Sequence, residues 1–585
     1  GEDPKEAASK GTAEICLAVL ATTFSIVAVF GPIAFTTGIA GKFLREFGLT
    51  VVVAVLISLF EAFTLAPMLS AYFFRRMAPV SDGAGLSRWE RSYRGLERHY
   101  RAVLGWSLSH RLVVVLVGLV ACLASVAMLP MLEQSFVPTF DEGEARVNLE
   151  LRPGVALAQT DQVARQVEEL LLEQPEVDHI FAQVGTDEGS VEKATIHVIL
   201  KRRGETTALL ERIRPRIATI PDLTFNIDQQ VGTTLGLTGG AMDSIRGRPI
   251  QINVQGQDFA ALDRASQQVM EAVRAIPGAV DVGRSLKQGK PELSVQIYRA
   301  RAADLGISAA QVASSVRTLV NGEEASRFHG LDEDLDIVVR LQESDRKSLD
   351  DVLRLPVTTN RGGQVPLSAV ATIQRGFAPA QIERQDHQRQ IVVGAGYLGR
   401  ALGEVTNDVN AALKLLQLPP GVSVSFGGQT AHMQQMLLVL TVAIILAVVF
   451  LYMVLASQFG SFVQPFIIML ALPLSFVGAF GALMLTGRSL DMVAMIGLVL
   501  LMGLVTKNSI LLIDFINRLR RQGSPRHEAI ITAGPIRLRP ILMTTLAMIF
   551  GMVPVALGLG AGSELRVPMG VAVIGGLITS TVLTL

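Results

Sequence analysis

The sequence predicts a membrane-embedded α-helical bundle joined to a large soluble α+β region of split βαβ units. Three observations predict it. Apolar runs of bilayer length recur at both ends of the chain, a long charged stretch separates them, and strand-like and helix-like patterns alternate within that stretch. Composition agrees: of 585 residues 50% are hydrophobic, mean hydropathy is +0.42, and 52 basic residues balance 52 acidic ones. Such neutrality offers no electrostatic footprint for nucleic acid, which is therefore not an expected partner.

A helix needs about 20 apolar residues to cross the hydrocarbon core. Runs of that kind occupy Ile15–Ile39, Phe47–Phe74, Leu112–Leu132, Leu437–Ala456, Val463–Thr486, Val493–Ile516, Ile541–Leu559 and Val567–Leu585. Arg75, Arg76, Arg88, Arg91, Arg94, Arg98, Arg101 and Arg111 crowd one connection, and Arg518, Arg520, Arg521, Arg526, Arg537 and Arg539 crowd another. Basic connections face the cytoplasm, so the soluble region belongs on the opposite side, which in a bacterium is the periplasm. Trp89, Tyr93, Leu96, Tyr100 and Val103 recur at helical spacing, so the first connection is expected to lie along the inner interface.

The domain division follows from these signals. Residues 1–76 form a transmembrane pair, 77–111 an amphipathic cytoplasmic connection, and 112–132 a further span. Residues 133–248 form a first soluble unit, 249–322 with 387–432 a second, and 323–386 an insertion within it. Residues 433–585 supply five spans, the last one truncated. In the first unit, strands are expected at 145–152, 177–185, 194–201 and 223–227, with helices at 158–173 and 206–217. The pattern restarts with strands at 249–255, 279–285 and 292–297 and helices at 259–275 and 309–319, and 390–397 with 402–415 completes it. Both cysteines, Cys16 and Cys122, fall in spans, so the exported region has no disulfide and must fold on core burial.

The first two spans and the last two repeat. Glu6-Ala7 matches Glu528-Ala529 (528 − 6 = 522), and the same shift pairs Thr22-Thr23 with Thr544-Thr545, Pro32 with Pro554, Gly38 with Gly560 and Gly48 with Gly570. Transporters built from repeated halves show this kind of duplication. Applied to Lys507, the shift gives 507 − 522 = −15, so the counterpart of the lysine span is expected upstream of Gly1.

Lys507 itself lies deep in Met495-IGLVLLMGLVT-Lys507-NSILLI-Ile513. An ammonium at the bilayer centre costs roughly 2.5–3.5 kcal/mol, so it calls for a partner or a task. Snorkelling to an interface is the bland reading; the uncharged residues before Asp514 oppose it. Glu61, in Ser58-LFEAFTLAP, is a second intramembrane charge: an extra proton site, a carboxyl kept neutral by burial, or a structural hydrogen bond to a neighbouring helix, with the structural reading preferred. Asp514 is expected to pair with Arg518 at i+4.

Gly503-LVTKNSILLIDF followed by Arg537-LRPILMTTLAMIFGMVPVALGLGAGSE closely resembles the tenth and eleventh spans of resistance–nodulation–division (RND) efflux pumps of the drug-exporting branch. Ala456-SQFGSFVQPF and Ser135-FVPTFDEGE are also similar to that family. The resemblance covers the whole chain, from just after the fourth span into the twelfth. It implies ferredoxin-like porter subdomains at 133–248 and at 249–322 with 387–432, and an inserted docking or funnel subdomain at 323–386. It implies a homotrimeric inner-membrane secondary transporter rather than an enzyme. Such a pump needs no cofactor, draws on the proton motive force, contacts membrane lipids, and works with a periplasmic adaptor and an outer-membrane channel to expel small amphiphilic substrates. By motif position Lys507, Asn508, Arg537 and Thr544 match the family's proton relay, whose adjacent aspartates on the fourth span correspond to the position upstream of Gly1. Thr544 has a plain alternative in back-bonding within its own helix, and Arg537 in anchoring the cytoplasmic end of its span.

Phe136, Phe181, Phe225, Phe328 and Phe377 are candidates to line an apolar pocket, against the commoner role of core packing. Glycine 185 to Lys193 lacks the aromatics often found in the family's drug-gating loop. Two alternatives remain. A heavy-metal exporter of the same superfamily is disfavoured because Met242 and Met270 are the only methionines between Glu133 and His432, and the histidines have no ligand spacing. A non-transporting, membrane-anchored assembly module is disfavoured by the costly lysine.

Overall fold

The computed structural model describes residues 4–73, 88–135, 141, 143–185, 190–202, 204–229, 245, 247–286, 289–330, 334–360, 362–378, 381–559 and 563–585. Arg75, Arg76, Phe136, Met242 and residues 186–189 lie outside them. Among the described residues, eight helices are long and apolar enough to cross a membrane. The first two, α1 (Pro4–Ile33) and α2 (Gly38–Phe73), form a tight hairpin. An amphipathic helix α3 (Arg88–Ser109) follows and leads into α4 (Arg111–Met128).

The first soluble unit runs β1 (Glu144–Glu150), α5 (Leu157–Leu172), β2 (Val177–Val184), β3 (Lys193–Leu200), α6 (Thr206–Ile217) and β4 (Thr224–Gln229). Its antiparallel sheet has the order β2-β3-β1-β4, which places the two βαβ halves side by side. Alternation explains the packing: Ala145, Val147 and Leu149 of β1 and Ile196 and Val198 of β3 point at Val167 and Leu171 of α5 and at Leu209 and Ile213 of α6.

The second unit begins with β5 (Ile250–Gly256), α7 (Phe259–Arg274), capped by Asp258 accepting from the Ala261 amide at 3.0 Å, and β6 (Ala279–Arg284). The chain then leaves this sheet. Strand β7 (Lys290–Ile297), α8 (Arg299–Asp304) and α9 (Ala309–Val316) precede an exposed hairpin of β8 (Glu323–His329) and β9 (Asp334–Val339). A short α10 (Leu349–Leu353), the pair β10 (Pro356–Thr358) and β11 (Gln364–Pro366), and β12 (Ala371–Ala378) follow. Here the structure departs from the sequence reading, which set 290–321 inside the second unit. Strand β7 pairs with β12, and Val295, Ile297, Ala302, Ile307 and Val312 share a separate core with Val357, Leu367 and Val370.

Strands β13 (Glu383–Gln385) and β14 (Gln388–Tyr397), helix α11 (Leu402–Leu415) and β15 (Val422–Gly427) return to the second unit. Its sheet orders β13-β14-β5-β15 with β6 also on β14, the same arrangement as the first unit with its halves split by the insertion.

From β15 the chain passes directly into α12 (Gly428–Phe459). Then come α13 (Val463–Met469) and α14 (Ala471–Leu485), which together make one span, α15 (Met492–Arg521), α16 (Arg526–Ala556) and α17 (Val567–Thr584). The 522-residue repeat reappears as geometry. Thr22 donates to the Val19 carbonyl at 2.9 Å and Thr544 to the Ile541 carbonyl at 3.1 Å, both pairs being related by the shift. A Cβ on Gly48 would stand 3.5 Å from the amide nitrogen of Ala34, and one on Gly570 2.8 Å from that of Ala556, again 522 residues on.

Helices α14 and α17 touch backbone to backbone. A Cβ on Gly478 would collide with the Gly575 carbonyl and the Thr579 side chain, and one on Gly575 with the Gly478 carbonyl and Ala482. In lipid, where apolar burial between helices gains little, such close approach of small residues drives association. Gly478→Leu should therefore destabilise the bundle by on the order of 1–3 kcal/mol or more. Gly481→Ala, whose Cβ would find its nearest neighbour, Met128 Cε, at an ordinary 3.7 Å, should be tolerated. Thermal unfolding of both variants in detergent compares them; equal midpoints would refute the packing argument.

Candidate functional site

Helix α15 is the most buried of the candidate spans, with 61% of its apolar window inside the bundle. It contacts α1, α14, α16 and α17. Two faces of it carry polar groups. Gly503, one turn before Lys507, abuts Ile26 and Phe30 of α1, so Lys507 lies on the α1 side of the helix. Lys507 is half-buried, and among the described residues it has no hydrogen-bond or ion-pair partner.

Asn508 is turned about 100° from it, one residue along the helix. Its side is that of Leu501, which packs against Gly576 of α17. Asn508 is 2% exposed, and its Nδ2 donates to Thr545 Oγ1 of α16 at 3.4 Å. Thr545 Oγ1 lies 3.4 Å from Thr581 Oγ1 of α17, which also reaches the Leu577 carbonyl at 2.7 Å. Thr581 has one hydroxyl hydrogen for two acceptors, so this seam across three helices has two donor arrangements. Asn508 Oδ1 and the neighbouring Ser580 Oγ are buried without hydrogen-bond partners.

The motif singled out Thr544, but its hydroxyl is spent on the Ile541 carbonyl, and it is Thr545 that meets Asn508. Helical phase decides this, and a motif position does not report phase. Thr581 had no motif to mark it; its spacing of four residues from both Leu577 and Leu585 along an apolar helix was the available signal.

At the basic end, Arg537 lays its guanidinium over Phe515 of α15, 4.6 Å from the ring centroid, with its Nε buried and unbonded. The expected Asp514–Arg518 ion pair is replaced: Arg518 bonds Glu14 of α1 at 2.8 Å, because the neighbouring helix offers a better-placed carboxylate than the i−4 position does. Glu61 also differs from its expected structural hydrogen bond. It is exposed on α2, a helix whose apolar window is 0% buried, and has no hydrogen-bond partner among the described residues. The phenylalanines do not converge: Phe181, Phe328 and Phe377 are exposed on separate strands, and Phe225 packs against the first core.

Asp491, which sequence reading passed over, is fully buried just before α15. Its Oδ1 accepts from the Ala494 amide at 2.7 Å as an N-cap, while Oδ2 has no partner. Burial pushes its carboxyl up to about 7, against the pull of the Ala494 and Val493 amides and of Arg488. The segment holding it is pinned by Leu490, whose amide donates to the Glu133 carbonyl at 2.7 Å.

The AcrB/AcrD/AcrF family model matches residues 1–585. The chain belongs to the AcrB/AcrD/AcrF family. This is the RND efflux transporter family, as the resemblance implied. Two crystal structures of a heavy metal efflux pump are similar in fold. Crystal form II superposes with a TM-score of 0.80 at 25% identity, covering 97% of this chain and 57% of the pump. Crystal form I gives 0.79 at 23%, covering 98% and 57%. The chain thus spans a little over half the length of the solved pumps it matches.

Two outcomes are expected of this family member. Thr545→Val strands the buried Asn508 donor and should cost about 1–3 kcal/mol, whereas Thr544→Val should stay within about 0.5 kcal/mol; thermal unfolding ranks them, and the reverse order would refute the seam. Asp491 holds its proton at about 7 when folded but loses it near the ordinary value of 3.8 when unfolded. Its contribution to stability is therefore complete below that lower value and lost as pH rises through about 7. Asp491→Asn, which keeps the cap, should flatten the fall in unfolding temperature between about pH 4 and pH 7; an unchanged slope would rule out Asp491 as its source.

Proposed function

We propose that this RND family member is a proton-driven antiporter of the bacterial inner membrane that exports amphiphilic small molecules from the periplasm or the membrane leaflet. The observation that carries the reading is Lys507: a half-buried ammonium, without an ion partner among the described residues, on the most buried apolar helix of the bundle. An intramembrane charge of that kind marks an ion or proton pathway. A carboxylate set opposite it in the membrane domain would attract the ammonium when ionised and release it when protonated, so proton binding moves two helices against each other. Asn508 and Arg537 flank that step, the first through the hydroxyl seam and the second through its packing on Phe515. Because α12 runs directly out of β15, a shift in the bundle reaches the second soluble unit through continuous chain.

Assembly as a homotrimer with a periplasmic adaptor and an outer-membrane channel belongs to the same proposal. The hairpin β8–β9 supports it: every described residue in both strands is exposed, including Phe328, Leu335, Ile337, Val338 and Val339, a surface suited to a protein neighbour.

Heavy-metal export is the second reading, favoured by the two pumps to which the fold is similar. Against it, Met242 and Met270 are the only methionines between Glu133 and His432, and Met270 packs on the second core from α7. Cells expressing the protein should accumulate less of an amphiphilic dye and no less zinc or copper; metal depletion alone would favour the second reading. Lys507→Ala should abolish proton-dependent efflux while expression and assembly persist. Unchanged accumulation in that variant would overturn the relay.

A further inference from the structure

A cleft of about 380 Å³ opens between α3 and α16, lined by Tyr93, Glu97 and Arg101 on one side and Thr532, Ile536 and Arg539 on the other. The two helices are fixed against each other one turn away. Gly534 leaves a notch that Tyr100 fills, since a Cβ there would stand 2.9 Å from the Tyr100 hydroxyl and 2.8 Å from Leu104. The cleft is therefore held by a packed joint and stays open beside it.

Its charge is unbalanced. Arg539 stands 5.8 Å from the centroid of the Tyr93 ring and has no carboxylate partner among the described residues. Arg101 meets Glu97 at 3.8 Å, a loose and exposed i,i+4 contact that contributes little and exchanges readily for a better anion. Two guanidiniums thus face one carboxylate across a concave site at the basic end of the bundle.

Apolar surface leads away from it along the membrane-crossing direction. Ile536 at the cleft, Met543 and Phe550 are all exposed and follow one another at seven-residue spacing, so they form a single stripe up α16. A cationic cradle at an interface, continued by an apolar stripe across the hydrocarbon region, has the shape and polarity of a phospholipid. We propose that this cleft binds one anionic phospholipid, its phosphate held by Arg101 and Arg539, its glycerol region near Thr532 and Tyr93, and an acyl chain along Ile536, Met543 and Phe550. The lipid seats the amphipathic helix α3 on α16. The site is separate from the polar seam, and it does not depend on which substrate is exported.

The test uses the protein in nanodiscs of phosphatidylglycerol or phosphatidylcholine, extracted into detergent and weighed by native mass spectrometry. Phosphatidylglycerol should stay bound and phosphatidylcholine should not. The double variant Arg101→Gln/Arg539→Gln should lower retention roughly thirtyfold, while Arg94→Gln/Arg98→Gln on the same helix should leave it unchanged. Should the double variant fail to fold, a diazirine-bearing phosphatidylglycerol on the unaltered protein should label peptides spanning 93–101 and 531–546. Equal retention of the two lipids, labelling elsewhere only, or displacement by millimolar inorganic phosphate with no dependence on acyl chains would each overturn the proposal.

Discussion

The membrane domain depends on one constraint: helices in lipid must find each other through shape. The contact of Gly478 with Gly575 lets α14 and α17 meet at their backbones, and Gly576 lets Leu501 of α15 seat against α17. Those two contacts place α15 where Asn508 reaches Thr545 and Thr581. A larger residue at any of the three glycines would hold α17 off, and the seam would lose one of its three walls. The polar site is thus a product of small residues that carry no chemistry themselves.

Polar groups then tie the helices to one another at the basic end of the bundle. Arg518 of α15 reaches across to Glu14 of α1, Gln458 of α12 donates to the Leu17 carbonyl at 2.8 Å, and Asn517 of α15 donates to Gln464 at 3.0 Å. Each link joins elements far apart in sequence at the basic end, where water weakens a single pair. Deeper in, the links become neutral hydroxyl and amide contacts, which cost less to bury than charge. Lys507 is the exception to that gradient, which is why it carries the functional reading.

Much of this was legible in the sequence, and the reasons for the rest are physical. Hydropathy reveals spans because a bilayer imposes length, and the repeat stood out because Pro and Gly coincide by chance less readily than scattered Leu and Val do in apolar segments. Strand β7 was legible as a strand but not as a member of the inserted core, since alternation shows which residues face inward and not which sheet they join. Arg518 went to Glu14 because local spacing rules do not see neighbouring helices. Thr545, and not Thr544, reaches Asn508 because helical phase relative to α15 is a tertiary fact. Asp491 left no mark beyond an ordinary N-cap, as burial of its second oxygen is a tertiary fact that local sequence does not carry.

The interruption of the second soluble unit has a consequence for how the chain is made. The first unit is continuous, and all four of its strands are available once residue 229 has emerged. The second cannot complete its sheet until β14 and β15 arrive, so β5 must wait for partners more than a hundred residues downstream. Non-local closure of that kind is slow. During synthesis the first unit and then the inserted domain can mature as independent bodies, while β5, α7 and β6 remain unpaired apolar surface. The last strand to join, β15, is also the one that runs into α12. Completion of the second sheet is therefore coupled to entry of the following helix into the bilayer.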